Sequence, residues 1–289
     1  MTQIQFSAPT SVDDAVRQLA DGGDAAKILA GGTDLLVQLR AGYSRPSLIV
    51  DIKKIPELRE IKPENDGFRI GAAVAGAELS EHAAVKDSWP GVVEGLDLIG
   101  STQIQGRASL GGNLCNASPA ADSVPAMIAA ATTCTIAGPK GTREANVEDI
   151  VTAPGQTSLG AGEFIVSFFL PARPAHSGDA YLRFIPRTEM DIAVVGAGVS
   201  LSLDDAGKCV AARLSLGAVA PRPLLVEAGA KALLGTKVDA AALAELSAAA
   251  SAACNPIDDK RGTIEYRTKV AGVLARRAAE IALERARAN

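Results

Sequence analysis

The chain has 289 residues, of which 47% are hydrophobic and only 3% aromatic, and its formal net charge at pH 7 is −4. This composition excludes a disordered chain, predicts a core of small aliphatic residues, and argues against a nucleic-acid binder, which would present a basic face. No apolar run of about eighteen residues occurs and the start lacks the pattern of a secretory signal, so we expect neither a transmembrane segment nor secretion.

The cysteines and histidines lie too far apart in the sequence to predict a metal site. They are Cys115, Cys134, Cys209, Cys254, His82 and His176. We expect each cysteine to be a buried free thiol in a reducing compartment. We assign no catalytic residue, metal ligand or iron–sulfur cluster to this chain.

Residues 1–56 are predicted to form a first subdomain, in which a glycine pair separates a buried strand from a helix. The predicted elements are a helix over 11–20 capped by Ser11, strands at 27–30 and 47–52, and a helix over 34–40. Residues 57–175 are predicted to form a second subdomain. Its predicted elements are strands at 68–72, 132–137 and 163–170 and helices over 78–86, 90–98 and 119–131.

Two glycine pairs organise this front half. The first is Gly31-Gly32 in the stretch Ala30, Gly31, Gly32, Thr33, Asp34, and the second is Gly111-Gly112 in the stretch Ser109, Leu110, Gly111, Gly112, Asn113. Glycine has no Cβ, so it lets another group approach the backbone, and successive N–H groups in such a turn can converge on an anion. Taken singly, either pair is typical of an ordinary tight turn. Taken together, the two pairs predict a cradle for the diphosphate of a dinucleotide.

The sequence lacks the other common nucleotide-binding motifs. The chain has no P-loop, and the Rossmann-like start at 194–201 has Leu201 where the third glycine belongs, so we expect a strand there. Asp122 has two interpretations. It could interact favourably with the positive end of the helix predicted over 119–131, or its carboxylate could accept hydrogen bonds from ribityl or ribose hydroxyls.

A proline-rich stretch over 171–178 is the clearest linker. The predicted elements that follow it are three antiparallel strands at 180–185, 191–203 and 209–220 and helices over 225–234, 240–254 and 263 to the end. This order indicates a separate α+β domain over residues 176–289.

In these residues, the sequence resembles the FAD-binding medium subunit of the molybdenum hydroxylases, a group that includes the xanthine dehydrogenases and carbon monoxide dehydrogenases. The two glycine stretches, Asp122, the stretch 187–193 and the stretch 265–274 carry the resemblance, which spans essentially the whole chain. It implies an α+β protein with a two-subdomain FAD-binding fold of the vanillyl-alcohol-oxidase (PCMH) type over 1–175, followed by the C-terminal domain.

The resemblance also implies roles for residues. The backbone of Ala30 to Asp34 and of Ser109 to Asn113 would hold the FAD pyrophosphate and adjoining sugars, Asp122 would accept hydrogen bonds from FAD, and Ile192 would cover the isoalloxazine ring. The carbon monoxide enzyme has tyrosine at the position of Ile192 and His-Ser at Thr33-Asp34. Both departures favour the broader hydroxylase group over carbon monoxide oxidation.

The resemblance further implies partners and a role in electron transfer. A large subunit with a molybdopterin cofactor and a small subunit with two [2Fe–2S] clusters would deliver electrons to FAD, which passes them to NAD⁺ or a quinone. A dimer of heterotrimers, free in the cytoplasm or at the inner face of the membrane, is expected. The alternatives are a standalone FAD-dependent reductase of the same fold, a phosphate-binding module without redox function, and a structural subunit that has lost flavin.

Overall fold

The computed structural model describes residues 4–289. The prediction that the chain lacks a secretory signal depends partly on residues 1–3, which lie outside the described residues. The elements of the first subdomain are β1 (Gln5–Ser7), α1 (Val12–Gly22), β2 (Ala26–Leu29), α2 (Leu35–Ala41) and β3 (Leu48–Asp51). The strands form a parallel sheet in the order β1-β3-β2. Ser11 caps α1 as predicted, because its hydroxyl accepts a hydrogen bond from the Asp14 N–H at 3.2 Å.

The second subdomain is built on a five-stranded antiparallel sheet. Its elements are β4 (Ile61–Glu64), β5 (Gly67–Gly71), α3 (Gly76–Ser80), α4 (Ala83–Ser88), α5 (Pro90–Asp97), α6 (Thr102–Gln105), α7 (Leu110–Cys115), α8 (Ser123–Ala129), β6 (Thr133–Gly138), β7 (Gly141–Asn146), β8 (Val151–Ala153), β9 (Gln156–Thr157) and β10 (Phe164–Leu170). The strand order is β4-β5-β10-β6-β7, and β8 and β9 form a separate hairpin. The helices and this sheet enclose one hydrophobic core.

The C-terminal part packs helices against an antiparallel sheet. Its elements are β11 (Ser177–Phe184), β12 (Val195–Leu203), β13 (Cys209–Gly217), β14 (Leu224–Leu225), α9 (Glu227–Leu233), α10 (Ala240–Ala252) and α11 (Ile264–Ala288). The prediction of three strands was incomplete, because the two-residue β14 adds a fourth. The Rossmann-like stretch is strand β12, as predicted. A methyl group on Gly198 would lie 2.7 Å from the Pro125 carbonyl oxygen, so small residues there allow β12 to approach α8.

Several helices and strands begin or end at other residues than predicted. The helix predicted over 78–86 is two helices, and His82 caps the second by accepting the Val85 N–H at 3.3 Å. The helix predicted over 119–131 begins only at Ser123. The strand predicted from 191 begins at Val195. The cysteines are free as expected, but Cys115 is exposed rather than buried.

A buried ionic cluster joins the C-terminal sheet to the second subdomain. Arg173 contacts Asp179 at 3.0 Å, and both side chains are less than a tenth exposed. The other carboxylate oxygen of Asp179 accepts the N–H of Gly91, at the start of α5, at 2.8 Å. Burial raises the pKa of Asp179 to about 6 in spite of the arginine. The cluster therefore fixes where β11 lies against α5.

Within residues 4–289, no helix combines the length and apolar character that crossing a bilayer requires.

Candidate functional site

A cavity of about 500 Å³ lies where the first two subdomains meet. A volume of this size is typical of sites for small molecules and cofactors. Its walls come from three parts of the chain, namely 19–38, 108–116 and 155–165, together with Ile52, Ala72 and Ile99.

The first wall is the glycine stretch that connects β2 to α2. Ala30, Gly31, Gly32, Thr33 and Asp34 all line the cavity. Gly32 has φ +83°, a conformation that residues with a Cβ rarely adopt. A methyl group on Gly31 would lie only 2.0 Å from the carbonyl oxygen of Arg107. The two subdomains therefore meet backbone to backbone at Gly31.

The backbone N–H groups of this stretch are available to a ligand. Among the described residues 4–289, no acceptor takes a hydrogen bond from the N–H of Gly31, Gly32, Thr33 or Asp34. The stretch is held from behind by Lys53, whose ammonium donates to the Ala30 carbonyl oxygen at 2.9 Å and to Asp51. Four neighbouring donors on a cavity wall make a site for an anion that needs no lysine of its own.

The second wall differs from the expected glycine turn, because Gly111 and Gly112 lie inside helix α7. Ser109 is the N-cap of this helix, and its hydroxyl accepts the Gly112 N–H at 3.1 Å. The N–H groups of Gly111 and Asn113 donate to the carbonyl oxygens of Ala72 and Ser109. The N–H groups of Gly111, Gly112 and Asn113 therefore have partners within the protein, in contrast to those of Gly31 to Asp34.

The glycines of α7 instead permit close approach. A methyl group on Gly111 would lie 2.5 Å from the Ala72 carbonyl oxygen. Gly112 has only the Ser109 hydroxyl nearby, at 3.3 Å from such a methyl group, so it leaves open space. Asn113 lines the cavity while its Oδ1 accepts hydrogen bonds from Ser123. Leu110 does not line the cavity, because its side chain is buried in the hydrophobic core.

The third wall, residues 155–165, was not predicted as part of the site. Its glycines at 155, 160 and 162 were the signal that the sequence offered. Glu163 shapes this wall by accepting the Gly160 N–H at 2.7 Å while it pairs with Arg143. The hydrogen bond from Arg143 is the main cause that lowers the pKa of Glu163 to about 2. The carboxylate is therefore charged at neutral pH and fixed in place.

Asp122 lies away from the cavity lining, at the junction with the C-terminal domain. Its side chain makes no capping hydrogen bond to α8. One carboxylate oxygen accepts the Tyr181 hydroxyl and the other contacts Arg183, each at 2.8 Å. Burial is the largest influence on Asp122 and raises its pKa to about 6, although Arg183 and Tyr181 act in the opposite direction.

The raised pKa of Asp122 predicts a specific pH dependence of stability. Because the folded-state pKa exceeds the unfolded value, the folded state binds the proton more tightly. The stabilisation from this group is then complete below about pH 4 and is lost as the pH rises towards 6. We expect the unfolding free energy of the wild type, relative to Asp122→Asn, to fall by on the order of 2 kcal/mol across that range. Denaturant titrations of both proteins from pH 4 to 7 measure it, and a pH-independent difference would contradict it.

Ile192 also lies outside the cavity lining, on the loop between β11 and β12, with 53% of its surface exposed. The neighbouring Asp191 anchors this loop. The Asp191 side chain is 2% exposed. Its carboxylate pairs with Arg187 and Arg261 and accepts the Ile192 N–H at 2.9 Å. These donors, Arg187 first, hold the pKa of Asp191 well below its usual range.

Nine of the twelve residues expected to contact a cofactor thus line one cavity, and Leu110, Asp122 and Ile192 do not. The residues present fit a dinucleotide cofactor such as FAD. The N–H groups of Gly31 to Asp34, which have no acceptor within residues 4–289, can donate to a diphosphate, and Gly112 on the facing wall has no side chain to fill the cavity. No group of three or more His, Cys, Asp or Glu side chains suited to a metal ion occurs within residues 4–289.

Comparison with known proteins agrees with this fit. Residues 2–173 match the model of the FAD binding domain in molybdopterin dehydrogenase, and residues 180–282 match that of the CO dehydrogenase flavoprotein C-terminal domain. The carbon monoxide dehydrogenase medium chain of Afipia carboxidovorans is 34% identical over 98% of both chains. Subunit alpha of the 6-hydroxypseudooxynicotine dehydrogenase complex of Paenarthrobacter nicotinovorans is 32% identical over 98% of this chain and 96% of its own.

Solved structures share the same architecture over nearly the full length. A chain of the Cu,Mo-CO dehydrogenase superposes with a TM-score of 0.94 at 34% identity, covering 98% of both chains. A chain of quinoline 2-oxidoreductase from Pseudomonas putida 86 gives a TM-score of 0.90 at 28% identity, with the same coverage. The expected α+β fold, a FAD-binding PCMH-type unit followed by a C-terminal domain, is confirmed.

The fold and the cavity define a flavoprotein subunit. The chain belongs to the family of FAD-binding medium subunits of the molybdenum hydroxylases. It is a FAD-carrying oxidoreductase subunit, and its relatives are chains of multi-subunit dehydrogenases that include a carbon monoxide dehydrogenase with a molybdenum cofactor.

Proposed function

We propose that the diphosphate of FAD binds to the N–H groups of Gly31, Gly32, Thr33 and Asp34 and that α7 forms the opposite wall of the site. The observation that carries this proposal is the run of four backbone donors without acceptors on the cavity wall. When bound, FAD supplies a ring system that accepts electrons from one donor and releases them to another. This chain's own part is to bind the cofactor, to orient it and to limit its exposure to water.

The remaining residues have supporting roles in this proposal. Ala30, Ser109, Gly111, Gly112 and Asn113 line the cavity and contact the cofactor, and Leu110 holds α7 in place from the hydrophobic core. Asp122 accepts hydrogen bonds from FAD hydroxyls, which is compatible with its contacts to Tyr181 and Arg183 because a carboxylate has about four acceptor positions. Ile192 would provide an apolar cover for the isoalloxazine ring, and Asp191 fixes its backbone by accepting its N–H. No acid, base or nucleophile of this chain takes part in electron transfer.

We further propose the context in which the subunit works. Residues 1–175 form the FAD-binding unit and residues 176–289 the C-terminal domain, a division supported by their separate hydrophobic clusters. The complex is a dimer of heterotrimers, and its electron acceptor is NAD⁺ or a quinone. The four free thiols favour a reducing compartment and hence the cytoplasm.

Native purification followed by flavin spectroscopy tests this function. We expect the purified subunit to bind one FAD, and the FAD absorbance to bleach with the substrate of the complex only when the two partner subunits are present. Substrate titrations of the subunit alone and of the complete complex measure the difference. Full dehydrogenase activity of this chain alone would refute the electron-transfer role, and failure to bind FAD would refute the proposed cofactor site.

A further inference from the structure

Lys53 lies directly behind the wall of the cavity that residues 30–34 form. Its ammonium donates to the Ala30 carbonyl oxygen at 2.9 Å and to the Asp51 carboxylate at 2.6 Å. The Lys53 side chain is 20% exposed, and it is not among the residues that line the cavity. The ammonium therefore contacts the back of the cavity wall and lies outside the space that a ligand would occupy.

The parallel pairing of β2 and β3 brings Lys53 to this position. Leu29, at the end of β2, pairs with Asp51 at the end of β3, so the residues that follow both strands leave the same edge of the sheet. A single 3₁₀ turn, Ile52–Lys54, follows β3, and Asp51 caps it by accepting the Lys53 N–H at 3.0 Å. The buried side chain of Ile52 anchors this turn in a hydrophobic core, so the position of Lys53 is built into the fold.

The Ala30 carbonyl and the Gly31 N–H belong to the same peptide unit. A cation bound to the carbonyl oxygen makes the N–H of that unit a stronger donor, because hydrogen bonds in a chain polarise one another. A hydrogen bond from an ammonium is among the stronger ones in proteins, and the low exposure of Lys53 limits screening by salt. The Gly31 N–H lies at the cavity wall and has no acceptor within residues 4–289. The effect of Lys53 is therefore directed at an anion that accepts this N–H.

We propose that Lys53 is a positioning residue for the FAD diphosphate, acting through the Ala30–Gly31 peptide from behind the cavity wall, an inference that rests on the proposed function. Lys53 strengthens the Gly31 N–H as a donor and holds the turn in the conformation that presents it. Asp51 opposes part of this effect, because its carboxylate competes with the Ala30 carbonyl oxygen for the ammonium. The positive charge that favours the diphosphate is thus kept out of the cofactor's own space.

Substitutions behind the wall test this inference in the full-length subunit. Lys53→Met removes the ammonium and keeps the length of the side chain, whereas Lys53→Arg keeps the charge. Lys54→Met is the matched control, because Lys54 is exposed and lies in the same 3₁₀ turn. Asp51→Asn removes the competing carboxylate, while asparagine caps a helical turn about as well as aspartate.

We expect Lys53→Met to raise the Kd for FAD about tenfold, as for the loss of one hydrogen bond from a charged group, while Lys54→Met binds FAD like the wild type. Lys53→Arg should recover most of the lost affinity, and Asp51→Asn should bind FAD at least as tightly as the wild type. Fluorescence titration of each apoprotein with FAD measures the Kd values, and thermal unfolding of the same samples compares their stability.

Equal Kd values for Lys53→Met and Lys54→Met would overturn the inference. A tenfold loss of affinity in Asp51→Asn would also overturn it, because that variant keeps the ammonium and the cap, and the ion pair would then only support the turn. Failure of the wild-type subunit to bind FAD would instead refute the proposed cofactor site.

Discussion

Gly31→Ala is expected to abolish retention of FAD. The added methyl group would lie 2.0 Å from the Arg107 carbonyl oxygen and 3.1 Å from the Ala108 nitrogen, so backbone must move on one side of the cavity. Both partners are main chain and cannot rotate away, unlike a flexible side chain. Opening this contact displaces the four N–H groups from the opposite wall. We expect the Kd for FAD to rise more than a hundredfold, which is about 2.7 kcal/mol of lost binding free energy.

The measurement is the FAD-to-protein ratio after gel filtration, together with a fluorescence titration. Gly106→Ala is the matched control, because Gly106 is close in sequence and its nearest neighbour, the Gln103 carbonyl oxygen, would be 3.8 Å from the methyl group. Gly112→Val distinguishes loss of FAD binding from misfolding. A side chain at this position contacts only the Ser109 hydroxyl within the protein, so the chain should still fold, but it occupies space in the cavity that FAD needs. Retention of stoichiometric FAD by both Gly31→Ala and Gly112→Val would contradict the assigned site.

Asp179→Ala is expected to be the most destabilising change outside the cavity. It leaves the guanidinium of Arg173 buried without its carboxylate and removes the acceptor of the Gly91 N–H. Removing one member of a buried ion pair typically costs about 3–5 kcal/mol. Because Asp179 joins β11 to α5, the loss should loosen the C-terminal domain from the second subdomain.

Denaturant-induced unfolding measures this cost, with Glu227→Ala as the control. Glu227 pairs with Lys231 at 3.7 Å on the surface, where both side chains are about three-quarters exposed. Such a pair contributes less than about 1 kcal/mol. If Asp179→Ala and Glu227→Ala destabilised the protein equally, the ionic cluster would not be what holds the domain junction.

The parts of the fold that the sequence predicted are those with strong local signals. Periodic apolar residues and a capping serine predicted α1. The alternation of polar and apolar residues over 200–203, with Leu201 in place of a third glycine, predicted that β12 is a strand. Strand β1 was missed because it has three residues and pairs with the distant β3, and β14 was missed because two residues are too few to show an alternating pattern. Strand β7, Gly-Thr-Arg-Glu-Ala-Asn, was missed because it is a polar edge strand with no buried face.

The sequence predicted the parts of the site that neighbouring residues form, and missed the parts that depend on residues far apart in the chain. Gly31 and Gly32 form the predicted turn between β2 and α2, and no acceptor within residues 4–289 takes a hydrogen bond from their N–H groups. Gly111 and Gly112 look the same in sequence, but they lie in a helix there: the Ser109 hydroxyl accepts the Gly112 N–H, and the Ala72 carbonyl oxygen accepts the Gly111 N–H. The contacts of Asp122 with Tyr181 and Arg183 bridge about sixty residues of sequence, and no pattern along the chain indicates such a pairing.

A crystal structure of the subunit with FAD bound is the most direct test of the assigned diphosphate site. We expect oxygen atoms of the diphosphate to lie within hydrogen-bonding distance of the N–H groups of Gly31 to Asp34, between the β2–α2 stretch and α7. A diphosphate bound elsewhere, with those four N–H groups facing only water, would contradict it.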